Sequence, residues 1–306
     1  MAGVVCRNVQ IRPWSVDDVE QIDAIRRAVQ PWHVATLQTQ RIWATSAPAR
    51  AYPLRLCVEV DGRVVSFAQG SLDLTAAEDH FGRVNVVTDP EFRHRGFGTA
   101  LYERIEDHLL GVGVRRSRGY AMDEPEAVRW VAKQGYEFGH SEQFSVVDPR
   151  KLARQPEQPP GVTVLSAAEA GLEAVYHVLN TAAFDIPGDV RWAGIDLDVF
   201  QASMWSVIDR EISLVACADQ VPAAVTLLEV NRSTGRALSS GSGTLQRYRG
   251  RGLVKLIKVK SLHRAASAGV AAAFTASDTT NHGMLAINAW LGYRNVGGTR
   301  AALKSL

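Results

Sequence analysis

Two short stretches, Arg93-His94-Arg95-Gly96-Phe97-Gly98-Thr99 and Arg247-Tyr248-Arg249-Gly250-Arg251-Gly252-Leu253, decide how this chain is read. Arg93, Gly96 and Gly98 recur as Arg247, Gly250 and Gly252 at a constant separation of 154 residues. After the first stretch Leu101, Ile105 and Leu109 recur every four positions, which predicts a helix over Thr99–Leu110; a second helix is expected from Leu253 to about Ala268. Each unit therefore reads strand, R-x-x-G-x-G, helix. Two glycines at this spacing let the backbone curl around a ligand without Cβ interference, and the first N–H groups of the new helix lack intrahelical partners. With the helix dipole and a flanking arginine, such a turn suits an anion, above all a phosphate. No Lys follows either second glycine, as a Walker loop needs, and the spacing is not the G-x-G-x-x-G of a dinucleotide fold.

Working outward, the same order of signals appears in both halves. Val9 and Ile11 precede a helical segment from Val16 to Val29; Val162 and Val164 precede one from Ala167 to Leu179. Leu54–Val60 and Arg63–Leu72 are β-rich runs joined by the hairpin signal Asp61-Gly62, and Arg83–Thr88 leads into the first loop. Ser213–Ala218, Ala223–Val230 and a weak strand before Leu245 repeat that order. Gly135-Tyr136 then recurs as Gly292-Tyr293, 157 residues on. Ordered recurrence at nearly fixed separation marks a duplicated domain. Between the copies, Asp148–Gly161 holds four prolines and one large aliphatic residue, Leu152, and reads as a linker. The expected organisation is α+β (mixed α/β): a domain over 1–150, a linker at 151–161 and a second domain over 162–306.

The 306 residues, 46% hydrophobic and 22% charged, fit a packed two-domain protein. Six lysines and 28 arginines against 32 acids leave a net charge of +2, which argues against a dedicated nucleic-acid binder. The balance is uneven: between Glu229 and Asp278 there is no acid, while Arg232, Arg236, Arg247, Arg249, Arg251, Lys255, Lys258, Lys260 and Arg264 all fall inside. A solvated helix face, a phosphate site and a surface for an anionic partner all accommodate that stretch. Cys6, Cys57 and Cys217 are too scattered for a disulfide framework or a metal site, so no metal is expected. The apolar stretch before Arg7 is too short for a signal peptide and no run reaches membrane-spanning length, so a cytoplasmic protein without membrane contact is expected.

At this point VNVVTDPEFRHRGFGTALYERIEDHL and GTLQRYRGRGLVKLIKVKSLHRAA resemble the acetyl-CoA signature of the Gcn5-related N-acetyltransferases, and EAVRWVAKQGYEF and NHGMLAINAWLGYRN resemble that family's next helix and strand. The resemblance implies two tandem acetyltransferase-like domains, each a twisted mixed sheet with splayed central strands, and acetyl-CoA as cofactor. Carried over by position, it implies cofactor contacts at Val86, Val87, Thr88, Arg93, His94, Arg95, Gly96, Phe97, Gly98 and Thr99, and at Arg247, Arg249, Gly250, Arg251, Gly252, Leu253 and Asn281. The oxyanion donor becomes a backbone N–H within Val86–Thr88 or Thr244–Gln246. The family's thiolate-protonating tyrosine is missing: Val131 and Asn288 stand there. Where the second copy has Asn281 the first has Glu124. The first copy has the more typical loop and strand, including Asp89-Pro90, and is expected to be the acetyl-CoA copy.

Acetylation of an amine needs a base. Asp73, Glu78, Asp79 and His80 follow the third strand of the first copy, Glu229 ends the equivalent strand of the second, and His33 beside Trp32 lies where the family often builds its acceptor site; Asp73, His80, Glu229 and His33 are the candidates. Trp32, Trp43 and Trp192 could line an acceptor pocket, and Tyr136 and Tyr293 are read as packing residues. The resulting expectation is an acetyl-CoA-dependent N-acetyltransferase acting on a primary amine of a small molecule by direct attack in a ternary complex, with a homodimer left open. The alternatives are a non-catalytic CoA-binding sensor or scaffold and an acyltransferase for a protein, carrier-bound or RNA acceptor.

Overall fold

The computed structural model describes residues 8–152 and 155–306. Cys6, and residues 153 and 154 of the expected linker, lie outside the described residues. The first half runs β1 (Val9–Pro13), α1 (Val19–Val29), α2 (Leu37–Ser46), β2 (Leu54–Val60), β3 (Arg63–Leu72), β4 (Phe81–Thr88), α3 (Phe97–Gly111), β5 (Arg116–Met122), α4 (Pro125–Lys133) and β6 (Glu137–Val147). The second runs β7 (Val162–Ser166), α5 (Ala167–Ala170), α6 (Leu172–Ala183), α7 (Leu197–Phe200), β8 (Leu214–Ala218), β9 (Val221–Asn231), β10 (Arg236–Thr244), α8 (Leu253–Ser267), β11 (Ala272–Asp278), α9 (His282–Trp290) and β12 (Arg294–Ser305).

The chain forms two compact units, and the proline-rich stretch does not divide them. Residues 8–33, 37–139 and 300–306 make up the first; residues 34–36 and 140–299 make up the second. The boundaries at 150 and 162 expected from sequence give way to an exchange of last strands. The end of β12 completes the first unit, where the Leu306 N–H donates to Arg115 O at 2.8 Å and Lys304 bonds Glu106 and Tyr102. The end of β6 completes the second, pairing antiparallel with β11 from Glu142↔Asp278 to Val147↔Ala273. Proline content reports where a chain cannot pair, and says nothing of which strand it pairs with afterwards.

In the first unit the strand order is β1-β2-β3-β4-β5-β12. Asp61 and Gly62, both at positive φ (50° and 82°), close the expected hairpin between β2 and β3. The Leu101, Ile105 and Leu109 stripe of α3 is fully buried against Val58, Val65 and Ala68 on one face of the sheet. On the other face Val19, Ile22 and Ile25 of α1 pack with Cys57, Phe67 and Val87. In the second unit the order is β6-β11-β10-β9-β8-β7. Alternation along β9 puts Leu228 and Val230 against Val259 and Leu262 of α8, and Val225 and Leu227 against Val175 and Val178 of α6.

Both sheets open at the same place. β4 pairs parallel with β5 only from Phe81↔Arg116 to Arg83↔Arg118, although it continues to Thr88 along β3. β10 pairs parallel with β11 only from Arg236↔Ala272 to Ser239↔Thr275, and a bulge against β9 follows between Ser239 and Gly241. Beyond these points alternate backbone N–H groups of β4 and β10 face a gap between strands. The helix after each strand begins at the mouth of that gap.

Candidate functional site

The two loops superimpose in a register that the motif match does not give. In the first unit the turn before α3 has Asp89 at (φ, ψ) of (−50°, 128°), Arg93 at (−64°, 164°) and Gly96 at (82°, −7°) as the helix N-cap. In the second, Leu245 at (−55°, 136°), Arg249 at (−65°, 159°) and the N-cap Gly252 at (71°, 11°) repeat those conformations. His94 and Gly250 are both left-handed, at φ 61° and 76°. Arg93 and Gly96 therefore correspond to Arg249 and Gly252, 156 residues on, and Arg247 belongs to the preceding turn, where it stacks on Tyr248 at 4.8 Å. The 154-residue match was a coincidence of repeated arginines and glycines two positions out of step. The true counterpart of Gly98 is Val254, which is buried in the second core, and Leu253 is buried beside it.

This register distinguishes the loops chemically. In the first, the helix begins with Ala100 N–H donating to Gly96 O at 3.0 Å, and no side chain caps it, so the N–H groups of Phe97, Gly98 and Thr99 point out of the helix end. A Cβ at Gly98 would lie 3.2 Å from Thr88 Oγ1 and 3.7 Å from Val86. The cradle is shaped by the absence of that atom. Arg93 stands 3.6 Å from Glu124, and His94 3.6 Å from Glu126. Trp130 of α4 donates its indole N–H to Thr99 Oγ1 at 3.1 Å and meets Tyr102 edge-on at 5.8 Å, tying α4 to the start of α3. In the second loop Arg249 is held 2.6 Å from Asp185 and Arg251 3.5 Å from Asp219. Asn281 caps α9 by accepting from Met284 N–H at 3.1 Å, which accounts for it structurally.

Residues 16–136, which hold the first loop, the splayed strand and α4, match the Acetyltransferase (GNAT) family. The first unit carries a GNAT acetyltransferase domain. No curated protein matches the chain in sequence. A GCN5-related N-acetyltransferase from Sphaerobacter thermophilus shares 16% identity at a TM-score of 0.70, covering 97% of this chain and 95% of its own. A tandem GNAT protein from the clavulanic acid biosynthesis pathway shares 17% at 0.71, covering 97% and 98%. At these identities the likeness shows the fold, which is that of two tandem GNAT-like domains.

The base candidates are dispersed within this GNAT fold. Asp73 and His80 lie at the start of β4, the end away from the loop. Asp73 is buried and locked by Arg118 at 2.9 Å and Arg83 at 3.6 Å; burial opposes its ionisation, but Arg83, Thr75 and Arg118 outweigh it and hold the carboxyl below its usual value. His80 is exposed at φ 58° and accepts from Arg115 N–H through its backbone. Glu78 pairs with Arg116 at 2.9 Å. These side chains hold the closed end of the β4–β5 pair together.

His33 is different. It is buried just beyond α1, on the face of the first sheet opposite α3, with Nε2 2.9 Å from Asp23 Oδ1. Arg27 and Gln40 donate to the same Asp23 carboxylate at 2.6 and 2.5 Å. Burial, offset in part by Asp23 and reinforced by the charges of Arg26 and Arg27, keeps the imidazole pKa below its usual 6.5. Hydrogen bonds from His33 and Arg27 hold Asp23 ionised against its own burial. The result is a neutral imidazole oriented by a carboxylate. Sequence reading named His33 but missed Asp23, Arg26 and Gln40, whose only signal was their spacing along two helices. Trp32 is buried next to His33, Trp43 is partly exposed, and Trp192 belongs to the second unit, donating to Asn180 at 3.1 Å. Tyr136 packs with Tyr102 at 6.0 Å, as expected of a structural aromatic, and Tyr293 lies 6.0 Å from the buried Lys258 ammonium.

Glu229 lies in the second unit beside the β10 bulge. Its Oε2, Ser240 Oγ and, on α9, Asn288 Oδ1 are buried without hydrogen-bond partners among the described residues. Burial pushes the Glu229 carboxyl up to about 7, the neighbouring Ser240 partly offsetting it. Acids from outside the acid-free stretch pair with part of it: besides the Arg249 and Arg251 pairs, Arg232 meets Asp209 at 2.8 Å, while Arg264 and Lys260 donate to the neutral acceptors Glu211 O and Gln158 Oε1. Lys258 is buried. Among the described residues no cluster of three or more His, Cys, Asp or Glu could hold a metal, and no helix is long and apolar enough to cross a membrane.

Proposed function

We propose that the first unit is an acetyl-CoA-dependent N-acetyltransferase that acetylates a primary amine on a small molecule. The observation that carries this reading is the uncapped start of α3 with Gly98 at its close approach to β4, set where β4 has parted from β5. The free N–H groups of Phe97, Gly98 and Thr99, with Arg93 and Arg95, would hold a diphosphate, and Arg93 would exchange its long contact with Glu124 for it. The bound cofactor supplies an acetyl thioester. The open side of Val84–Thr88 offers backbone N–H groups toward the thioester oxygen.

From the α1 face, His33 takes the proton of the incoming ammonium, Asp23 fixing the ring and stabilising its charged form. The amine nitrogen then forms the C–N bond as the carbon–sulfur bond breaks, and the second N–H proton it sheds on becoming an amide passes to water. With Val131 in place of a phenol, no side chain at that position protonates the departing sulfur, which leaves as a thiolate, a form a thiol reaches near neutral pH. Cys57 and Cys217 are free and buried, and burial pushes the Cys57 thiol up to about 11, so neither is suited to a covalent route. Free thiols also fit a reducing, cytoplasmic setting. The test is thiol release from acetyl-CoA with a panel of primary amines. Turnover that requires an amine is expected; tight CoA binding without turnover on any amine would replace this reading with a sensor.

A further inference from the structure

The α1 face of the first unit holds a cation, Arg26, that makes no ion pair among the described residues and feels only the nearby charge of Asp23. Arg26 sits on α1 one turn beyond Ile22 and next to Ile25, both buried, so its side chain runs inward along the sheet. Its guanidinium stands over the Phe67 ring, with Cζ 4.8 Å from the centroid. Stacking satisfies the face of a guanidinium and leaves its N–H edge to find acceptors. Arg26 Nε is fully buried and has none. The carboxylate within reach on the same helix, Asp23, is already shared by Arg27, His33 and Gln40.

A second unpaired atom lies on the same face. Phe67 pairs with Val87 of β4, and both pack toward α1. Asn85, two residues before Val87, therefore faces the same way, and its Oδ1 is also buried and unpartnered. A buried donor and a buried acceptor left without partners are each destabilising. Their counterpart in a ligand is an anion beside an N–H or O–H. With Asp23 already near its charge, a guanidinium edge with an unfilled Nε–H suits a singly charged carboxylate better than a phosphate, and its planar edge matches a carboxylate in two parallel hydrogen bonds.

Resting on the acetyltransferase reading of this unit, we propose that its acceptor is an amine that also carries a carboxylate, as an amino acid does, with Arg26 receiving the carboxylate and Asn85 accepting from a ligand N–H or O–H. Arg26 thus selects the substrate and does not itself carry the proton, though its charge helps hold the His33 pKa down.

The full-length protein would be assayed by thiol release with the common L-amino acids, each beside its carboxamide and its decarboxylated amine. At least one amino acid is expected to exceed its carboxamide by about 100-fold in kcat/KM, mostly through KM. Arg26→Gln should collapse that ratio toward one by raising KM for the amino acid far more than for its carboxamide, and Arg26→Lys should keep a preference reduced about tenfold. Equal rates for amino acids and carboxamides, or an unchanged ratio in Arg26→Gln, would overturn the proposal and leave the acetyltransferase reading intact. Circular dichroism and melting of both variants separate loss of fold from loss of recognition. Should no amine turn over, calorimetry with the same amino acids still decides: binding by the wild type that Arg26→Gln abolishes supports the carboxylate site, and absence of binding refutes it.

Discussion

The two units share a strand order, a splay point and a left-handed loop, yet they have kept different halves of one site. Both helices start without a side-chain cap, but the first loop is open, with glycine at the close approach and an arginine whose nearest acid is 3.6 Å away. The second has Val254 in place of that glycine and Arg249 in a 2.6 Å ion pair, but leaves Glu229, Ser240 and Asn288 with buried unpaired atoms around its splay. A duplicated backbone can thus be preserved by packing while the groups that approach a ligand diverge. Glycine at one position and an unfilled hydrogen bond at another are independent requirements, and each copy has relaxed a different one.

The most forceful way to break this comparison is to fill the first cradle. Gly98→Asp should lower acetyl-CoA affinity at least about 100-fold and abolish turnover, because the side chain would meet Thr88 and place an anion where the diphosphate belongs. At the equivalent N-cap positions, Gly96→Asp should weaken acetyl-CoA binding and Gly252→Asp should leave it unchanged; if both variants lost binding equally in calorimetry, the loops would be equivalent after all. Next, His33→Ala should reduce kcat by about 10²–10⁴-fold. It should also remove the acidic limb of the pH profile, whose midpoint falls below 6.5 because the depressed pKa keeps the ring neutral until lower pH. A profile in the variant that retains the limb would assign the proton transfer elsewhere.

Glu229 sharpens the second unit's side. With its folded pKa near 7 above an ordinary 4.5, the native state holds the proton more tightly than the unfolded chain, so the group lowers stability progressively as pH rises from 4.5 through 7. Glu229→Gln should therefore stabilise the protein at pH 8 by at most about 3 kcal/mol and have no effect at pH 4, as read by denaturant melts. A pH-independent effect would mean that the carboxyl is paired in solution. The smallest expectation concerns Arg249: Asp185→Ala removes a half-exposed ion pair and should change stability by less than about 1 kcal/mol, with turnover unaffected.

The duplicated mixed fold, the α3 stripe and the first loop were legible because they are local patterns: periodicity, a hairpin dipeptide and glycine spacing. The register of the second loop was not. Arg247, Arg249 and Arg251 alternate with Tyr248, Gly250 and Gly252, so two alignments fit equally well on paper, and only the left-handed conformations at Gly250 and Gly252 choose between them. The His33–Asp23–Gln40 cluster was half visible, since its members come from a turn and two helices that sequence distance does not relate. Asp73 and His80 looked reactive by type but stand at the closed end of a strand, a fact of sheet register.

The exchange of last strands bears on how the molecule is made. A chain emerging from the ribosome will have displayed residues 37–139 long before residues 300–306 exist, so β5 must wait at an unpaired edge while the whole second unit is synthesised. The first unit is consequently translated ahead of the second yet completes its sheet only once residues 300–306 have been made.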